Sequence, residues 1–162
     1  MEEMATANDT RTVVDDADVL DALYRAEYTG MVRLAFTLVG SNAEAEDLVQ
    51  DSFVEVARRL HEIRKPGAYL RSAVVSRCRS VLRRRRVMAL HPPESPAGLA
   101  SAAGELWDVL GALPEDQRIA VVLKYYGGYR ASEIAKILDV PGATVRSHLR
   151  RGLTALRKEL DT

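Results

Sequence analysis

The chain has 162 residues, 47% of them hydrophobic and 28% charged, and its 23 basic and 23 acidic side chains leave no formal net charge. That balance excludes a polar disordered chain, and a single cysteine, Cys78, excludes an internal disulfide framework and fits a reducing compartment. No apolar run approaches the roughly 20 residues that span a bilayer, and the acidic opening MEEMATANDT lacks the basic and apolar parts of a secretion signal, so a cytoplasmic location and no membrane partner are expected.

Neutrality conceals a pattern. Residues 1–60 hold 5 basic and 13 acidic side chains, residues 61–90 hold 9 and 1, residues 91–129 hold 2 and 5, and residues 130–162 hold 7 and 4. Two basic blocks alternate with two acidic ones. Each basic block is able to face phosphates locally while the whole chain stays neutral, although solvated helix faces give the same counts.

In chain order, residues 1–18 show no sustained periodicity and read as an acidic flexible tail. Tyr24, Tyr28, Met31, Ala35 and Leu38 then recur at steps of four and three, one face of a helix that Gly40 ends. Ser41 and Glu44 form a capping box for the next helix, whose apolar face runs Ala45, Leu48, Val49, Phe53, Val56, Leu60. Pro66 suits the first turn of a third helix. Leu70, Val74, Cys78 and Val81 should face the core, with Ser72, Ser76, Arg79, Arg83 and Arg86 opposite; Cys78 reads as a small buried hydrophobe. Periodicity vanishes over residues 87–104, where His91-Pro-Pro-Glu-Ser-Pro96 reads as an extended Pro/Ala-rich linker. Its 18 residues would reach roughly 55 Å, at about 3.1 Å per residue.

Leu106, Val109, Leu110 and Leu113 make a short helix before Pro114, and Ile119, Val122, Leu123 and Tyr126 make another that Gly127 and Gly128 stop. Next, Ala131, Ile134, Ala135 and Leu138 form one apolar face, the turn Asp139–Gly142 breaks it, and Val145, Leu149, Leu153, Leu156 and Leu160 point inward from a longer helix. This is the pattern of a helix-turn-helix, in which Ala135 allows close approach and Val140 and Val145 fill the angle. Thr144, Arg146, Ser147, His148, Arg150 and Arg151 then point outward near the start of the second helix, the end that enters a major groove. Hydroxyls and guanidiniums there suit base edges and phosphates; a plain three-helix bundle with a basic rim would carry the same residues. No strand-like alternation appears. The expected fold is all-α, two small helical bundles joined by a flexible linker, divided as residues 19–86 and 105–162.

Read together, Leu113–Leu160 resembles the fourth region of bacterial sigma factors, and Ala43–Leu60 followed by Lys65–Arg86 resembles their second region. Both regions in this order, separated by a short linker, resemble the extracytoplasmic-function sigma factors, with the SigE-like branch nearest. The resemblance covers about residues 20–160. It implies a non-catalytic subunit that binds core RNA polymerase, recognises two promoter DNA elements and assists melting. It implies that Asp47, Gln50 and Asp51, with Leu48 and Phe53 in support, dock on the polymerase clamp helices. It places Lys65, Tyr69, Arg71, Ser76, Arg79 and Arg83 at the minus-ten element and its opened strand, and Thr144, Arg146, Ser147, His148, Arg150 and Arg151 at the minus-thirty-five element. The chain departs from the family in three places: Asp139 stands where glycine is usual, His148 where arginine or lysine is common, and Ser76 where an asparagine is common. Aspartate tolerates the left-handed turn better than most residues.

A stand-alone helix-turn-helix regulator, with the N-terminal bundle as a dimerisation or sensing module, is the alternative reading. A third would make Glu44, Asp47 and Asp51 a metal-dependent enzyme site; no cofactor is expected, and the three histidines are too scattered to suggest a metal. With no sensor domain in view, regulation is expected from a partner such as an anti-sigma factor, from expression level or from the acidic tail.

Overall fold

Apolar residues at helical spacing, interrupted by glycine and proline, leave the chain one way to hide them: as helices packed face to face. The computed structural model describes the backbone of residues 3–88 and 102–162, and the side chains of residues 16–88 and 106–162. It contains seven α-helices and no strand among the described residues: α1 (Glu3–Val39), α2 (Asn42–Arg58), α3 (Pro66–Met88), α4 (Ala102–Gly111), α5 (Glu115–Val121), α6 (Ala131–Leu138) and α7 (Gly142–Leu160). The expected all-α class holds.

The first three helices pack pairwise around Leu34, Leu38, Val49, Val56, Leu70, Val74 and Cys78, all essentially buried. Gly40 turns the chain between α1 and α2 with φ +75°, its N–H donating to the Phe36 carbonyl at 2.8 Å. Ser41 Oγ accepts from the Glu44 N–H at 3.3 Å, the expected cap. The Glu44 carboxylate itself turns away to Arg85 of α3, whose guanidinium also donates to the Val39 carbonyl. Burial pushes the Cys78 thiol up to about 12, as its reading as a small core hydrophobe implies.

In the C-terminal half α7 packs on α5 and α6. At Gly152 a Cβ would lie 2.8 Å from the Val121 side chain, so glycine permits the close approach of α5 and α7. Past Val121 the helix widens into one π-helical turn, Val122–Tyr126. Asp139 closes α6 in the left-handed conformation, φ 53° and ψ 51°, as expected of the residue standing for glycine there.

Several expectations need correction. The helix α1 begins at Glu3, so the backbone of residues 3–18 is helical where a tail was expected. No glycine or proline occurs before Gly30 to stop it, and the sequence there has no apolar repeat by which a helix is recognised. The helix α3 runs to Met88 and α4 starts at Ala102, which trims both ends of the 87–104 linker; residues 89–101 lie outside the described residues. Leu160, expected to point inward, is exposed, as are Tyr24, Leu106 and Tyr126 on their helices. Leu160 sits in the last turn of α7, beyond the helices that would cover it, and the π turn redirects Tyr126. Beyond the expected linker, α3 also packs directly against α5 and α6.

Candidate polymerase and promoter interfaces

The helix-turn-helix is made by α6 and α7. Val145 and Ile134 are fully buried where the two helices meet, and Val140 packs against the same core, so the apolar plug is where the spacing puts it. With that face fixed, Arg146, Arg150 and Arg151 are exposed, while Thr144 and Ser147 are half-buried on the same end of α7. His148 is half-buried rather than exposed, and its Nδ1 is covered without a hydrogen-bond partner. Its ring lies against the protein because it follows Val145 by three residues, at the edge of the packed face.

The helix α2 carries the acidic candidates. Asp47, Gln50 and Asp51 are exposed, and Leu48 and Phe53 are half-buried beneath them. The Phe53 ring packs 5.2 Å from Tyr24 and 6.2 Å from Tyr28, and those two tyrosines stack at 4.5 Å. An aromatic cluster between α1 and α2 thus supports the acidic surface. Exposed Val54 continues that surface one turn further along. Glu44, grouped with Asp47 and Asp51 in the metal-site reading, is instead turned to Arg85. Among the described residues no set of His, Cys, Asp and Glu is placed to hold a metal ion, and no helix is long and apolar enough to cross a membrane.

The basic helix α3 departs most from expectation. Lys65 and Ser76 are exposed as expected. Tyr69 is not free: its hydroxyl donates to Glu55 Oε1 at 2.5 Å and accepts from Arg59 Nη1 at 2.8 Å. That hydrogen bond, with Arg77 at 2.7 Å from the same carboxylate, holds Glu55 below the usual carboxylate range. Arg71 donates to Glu27 at 2.8 Å and lies 5.8 Å from the centre of the Tyr129 ring. Arg79, expected to point outward, reaches Asp116 at 2.8 Å, an ion pair at contact distance without hydrogen-bond alignment. Arg83 and Arg86 approach Glu115 at 3.9 and 3.3 Å. The outward face of α3 therefore meets the first turn of α5. Sequence reasoning did not single out Glu115, Asp116, Glu27 or Tyr129; the acidic excess of residues 91–129 beside the basic block 61–90 was the available signal.

Residues 23–87 match sigma-70 region 2, and residues 103–156 match sigma-70 region 4. The chain is 32% identical over 146 residues to the RNA polymerase sigma-E factor of Streptomyces coelicolor, an alignment covering 84% of this chain and 82% of that protein. It is 32% identical over 157 residues to the ECF RNA polymerase sigma factor SigE of Mycolicibacterium smegmatis, covering 86% of this chain and 61% of that protein. Two of the curated relatives that it matches are longer, and the chain spans 36% and 61% of their length. Its fold is similar to that of the sigma factor RpoE in a complex with the anti-sigma factor NepR from Bartonella quintana, with TM-score 0.67, 21% identity and 91% and 98% of the two chains covered. Both regions occur in order, and a relative is matched at this identity across most of both lengths; the chain belongs to the extracytoplasmic-function RNA polymerase sigma factors.

Proposed function

We propose that this chain is a non-catalytic, cytoplasmic subunit that binds core RNA polymerase, directs it to promoters and assists DNA melting. The observation that carries the reading is the separation of two surfaces of opposite charge. Asp47, Gln50 and Asp51 are exposed on α2, and Arg146, Arg150 and Arg151 are exposed on α7.

The acidic surface suits a basic protein partner, with Leu48 and Phe53 fixing the helix behind it. The start of α7 suits a major groove: Thr144, Arg146, Ser147 and His148 lie at the end that reaches base edges, and Arg150 and Arg151 one turn on meet phosphates. The minus-ten role falls to Lys65, Tyr69, Arg71, Ser76, Arg79 and Arg83, where a cationic groove and pockets for unstacked bases would be needed. Membership of a family that includes a relative solved with an anti-sigma factor supports such a factor as a partner of this chain too.

The reading is tested on core RNA polymerase. The wild-type chain co-elutes with core, and Asp51→Arg, which reverses one exposed charge of α2 without touching its packing, weakens association by about tenfold or more, as expected for a repulsive charge in a complementary interface. No co-elution of the wild type would overturn the reading, and unchanged core affinity in the variant would place the docking surface elsewhere.

A further inference from the structure

Beside the last turns of α3 and the turn from α4 to α5 lies a cavity of about 560 Å³. One side of it is apolar, made by Leu82, Leu113 and Pro114, and the first two of these are buried. The other side carries Arg85, Arg86, Arg118 and Glu115.

These charges are not equally committed. Arg85 is taken, because its guanidinium donates to the Val39 carbonyl and to the Glu44 carboxylate. Arg86 and Arg83 lie 3.3 and 3.9 Å from Glu115 and satisfy that carboxylate. Arg118 differs from both: it forms no ion pair among the described residues. Its Nη2 donates to the Gly111 carbonyl at 2.7 Å, which caps the end of α4. Its Nε is covered without a hydrogen-bond partner, so Nη1 is the nitrogen that is neither bonded nor covered. Burial first, and Arg85 after it, push this guanidinium below the ordinary arginine value by more than Glu115 restores. A half-buried cation with no anion beside it is costly.

We propose that this cavity is a binding site for a small organic carboxylate, its head on Arg118 and its apolar body against Leu82, Leu113 and Pro114. The dimensions suit such a ligand, since small-molecule sites span roughly 300–1,000 Å³ and join apolar walls to a few polar groups that fix orientation. A guanidinium is the side chain that pairs best with a planar oxyanion. Glu115 on the same wall sets the charge of the head, because its repulsion grows with the charge of the ligand and so favours a monoanion over a phosphate dianion.

The test is calorimetric titration of the full chain with four probes: naphthoate, naphthyl phosphate, uncharged naphthylmethanol and acetate. Naphthoate should bind about tenfold tighter than either naphthylmethanol, which lacks the charge, or acetate, which lacks the body. Naphthyl phosphate should bind more weakly than naphthoate. Equal binding of naphthoate and naphthylmethanol, or no binding of naphthoate, would overturn the proposal.

Two substitutions should then act in opposite directions. Arg118→Met keeps the apolar stem and removes the charge, and should weaken naphthoate by about tenfold. Glu115→Gln removes the repulsion, and should tighten naphthoate by about threefold while narrowing its advantage over naphthyl phosphate. The control Glu159→Gln, at an exposed position near the end of α7, should change affinity by less than about twofold. Because Arg118 also caps α4, circular dichroism checks that its variant folds; if it does not, Glu115→Gln decides alone, and unchanged affinity there would contradict the site. Amide shifts of the labelled chain give its location. Naphthoate should perturb residues 82–86 and 111–118, and shifts confined to other residues would reject the cavity as the site.

Discussion

The substitution Gly40→Ala is the sharpest probe of how the two halves meet. Gly40 has φ +75°, a conformation that costs an L-residue about 1–2 kcal/mol. The added methyl would also lie 2.4 Å from Trp107 Cζ2 and 2.7 Å from Cε2, well inside contact distance. The indole must therefore move, and overpacking of this kind costs about 1–3 kcal/mol. The expected loss is about 2–5 kcal/mol, at roughly 2–4 °C of Tm per kcal/mol for a chain of this size. A double-mutant cycle with Trp107→Ala separates the parts. Without the indole, Gly40→Ala should cost only the backbone strain of about 1–2 kcal/mol. Denaturant unfolding followed by circular dichroism reads all four proteins. An identical cost in both backgrounds would mean that Trp107 does not rest on Gly40, and the packing of α4 against the α1–α2 turn would be wrong.

Three further outcomes follow from the geometry. Replacing Arg150 or Arg151 by Ala should lower the salt slope of duplex binding by roughly 0.9 for each phosphate that is no longer neutralised; titrations at several salt concentrations check this, and unchanged slopes would mean that neither arginine touches the backbone. Tyr69→Phe removes the hydroxyl that holds Glu55 low. A depressed carboxylate pKa contributes stability above the unfolded value and loses it as pH falls through the folded one, so the variant should be less stable at neutral pH and converge with wild type only in acid, as pH falls through the lowered Glu55 pKa. A pH-independent difference would contradict the assignment. Native Cys78, buried and pushed up to about 12, should resist maleimide at pH 8 and react only as the chain unfolds; prompt labelling of the folded protein would place it at the surface.

The sequence was legible wherever a residue's partner lies nearby along the chain. The buried faces of α2, α3 and α6, the Ser41 cap, the proline start of α3 and the left-handed turn at Asp139 all depend on spacing within one or two turns, and they stand where spacing puts them. The same holds for the exposed arginines of α7, because the buried positions of one helix fix its free ones. Pairings between distant segments were not legible. Arg79 and Arg83 read as solvent-facing because nothing local opposes them, yet Asp116 and Glu115 approach from more than 30 residues away. His148 was misread for a related reason: one position from the packed face of a helix decides between exposed and half-buried. The start of α1 was missed because residues 3–18 carry no sustained apolar repeat, the signal by which its later turns were found.

The most direct measurement is run-off transcription from fragmented genomic DNA with purified core polymerase, in the presence and absence of this chain. A discrete set of transcripts is expected that requires the protein and disappears in a variant with Arg146, Arg150 and Arg151 all changed to Ala. The same transcripts with core alone, or none with the protein added, would contradict it.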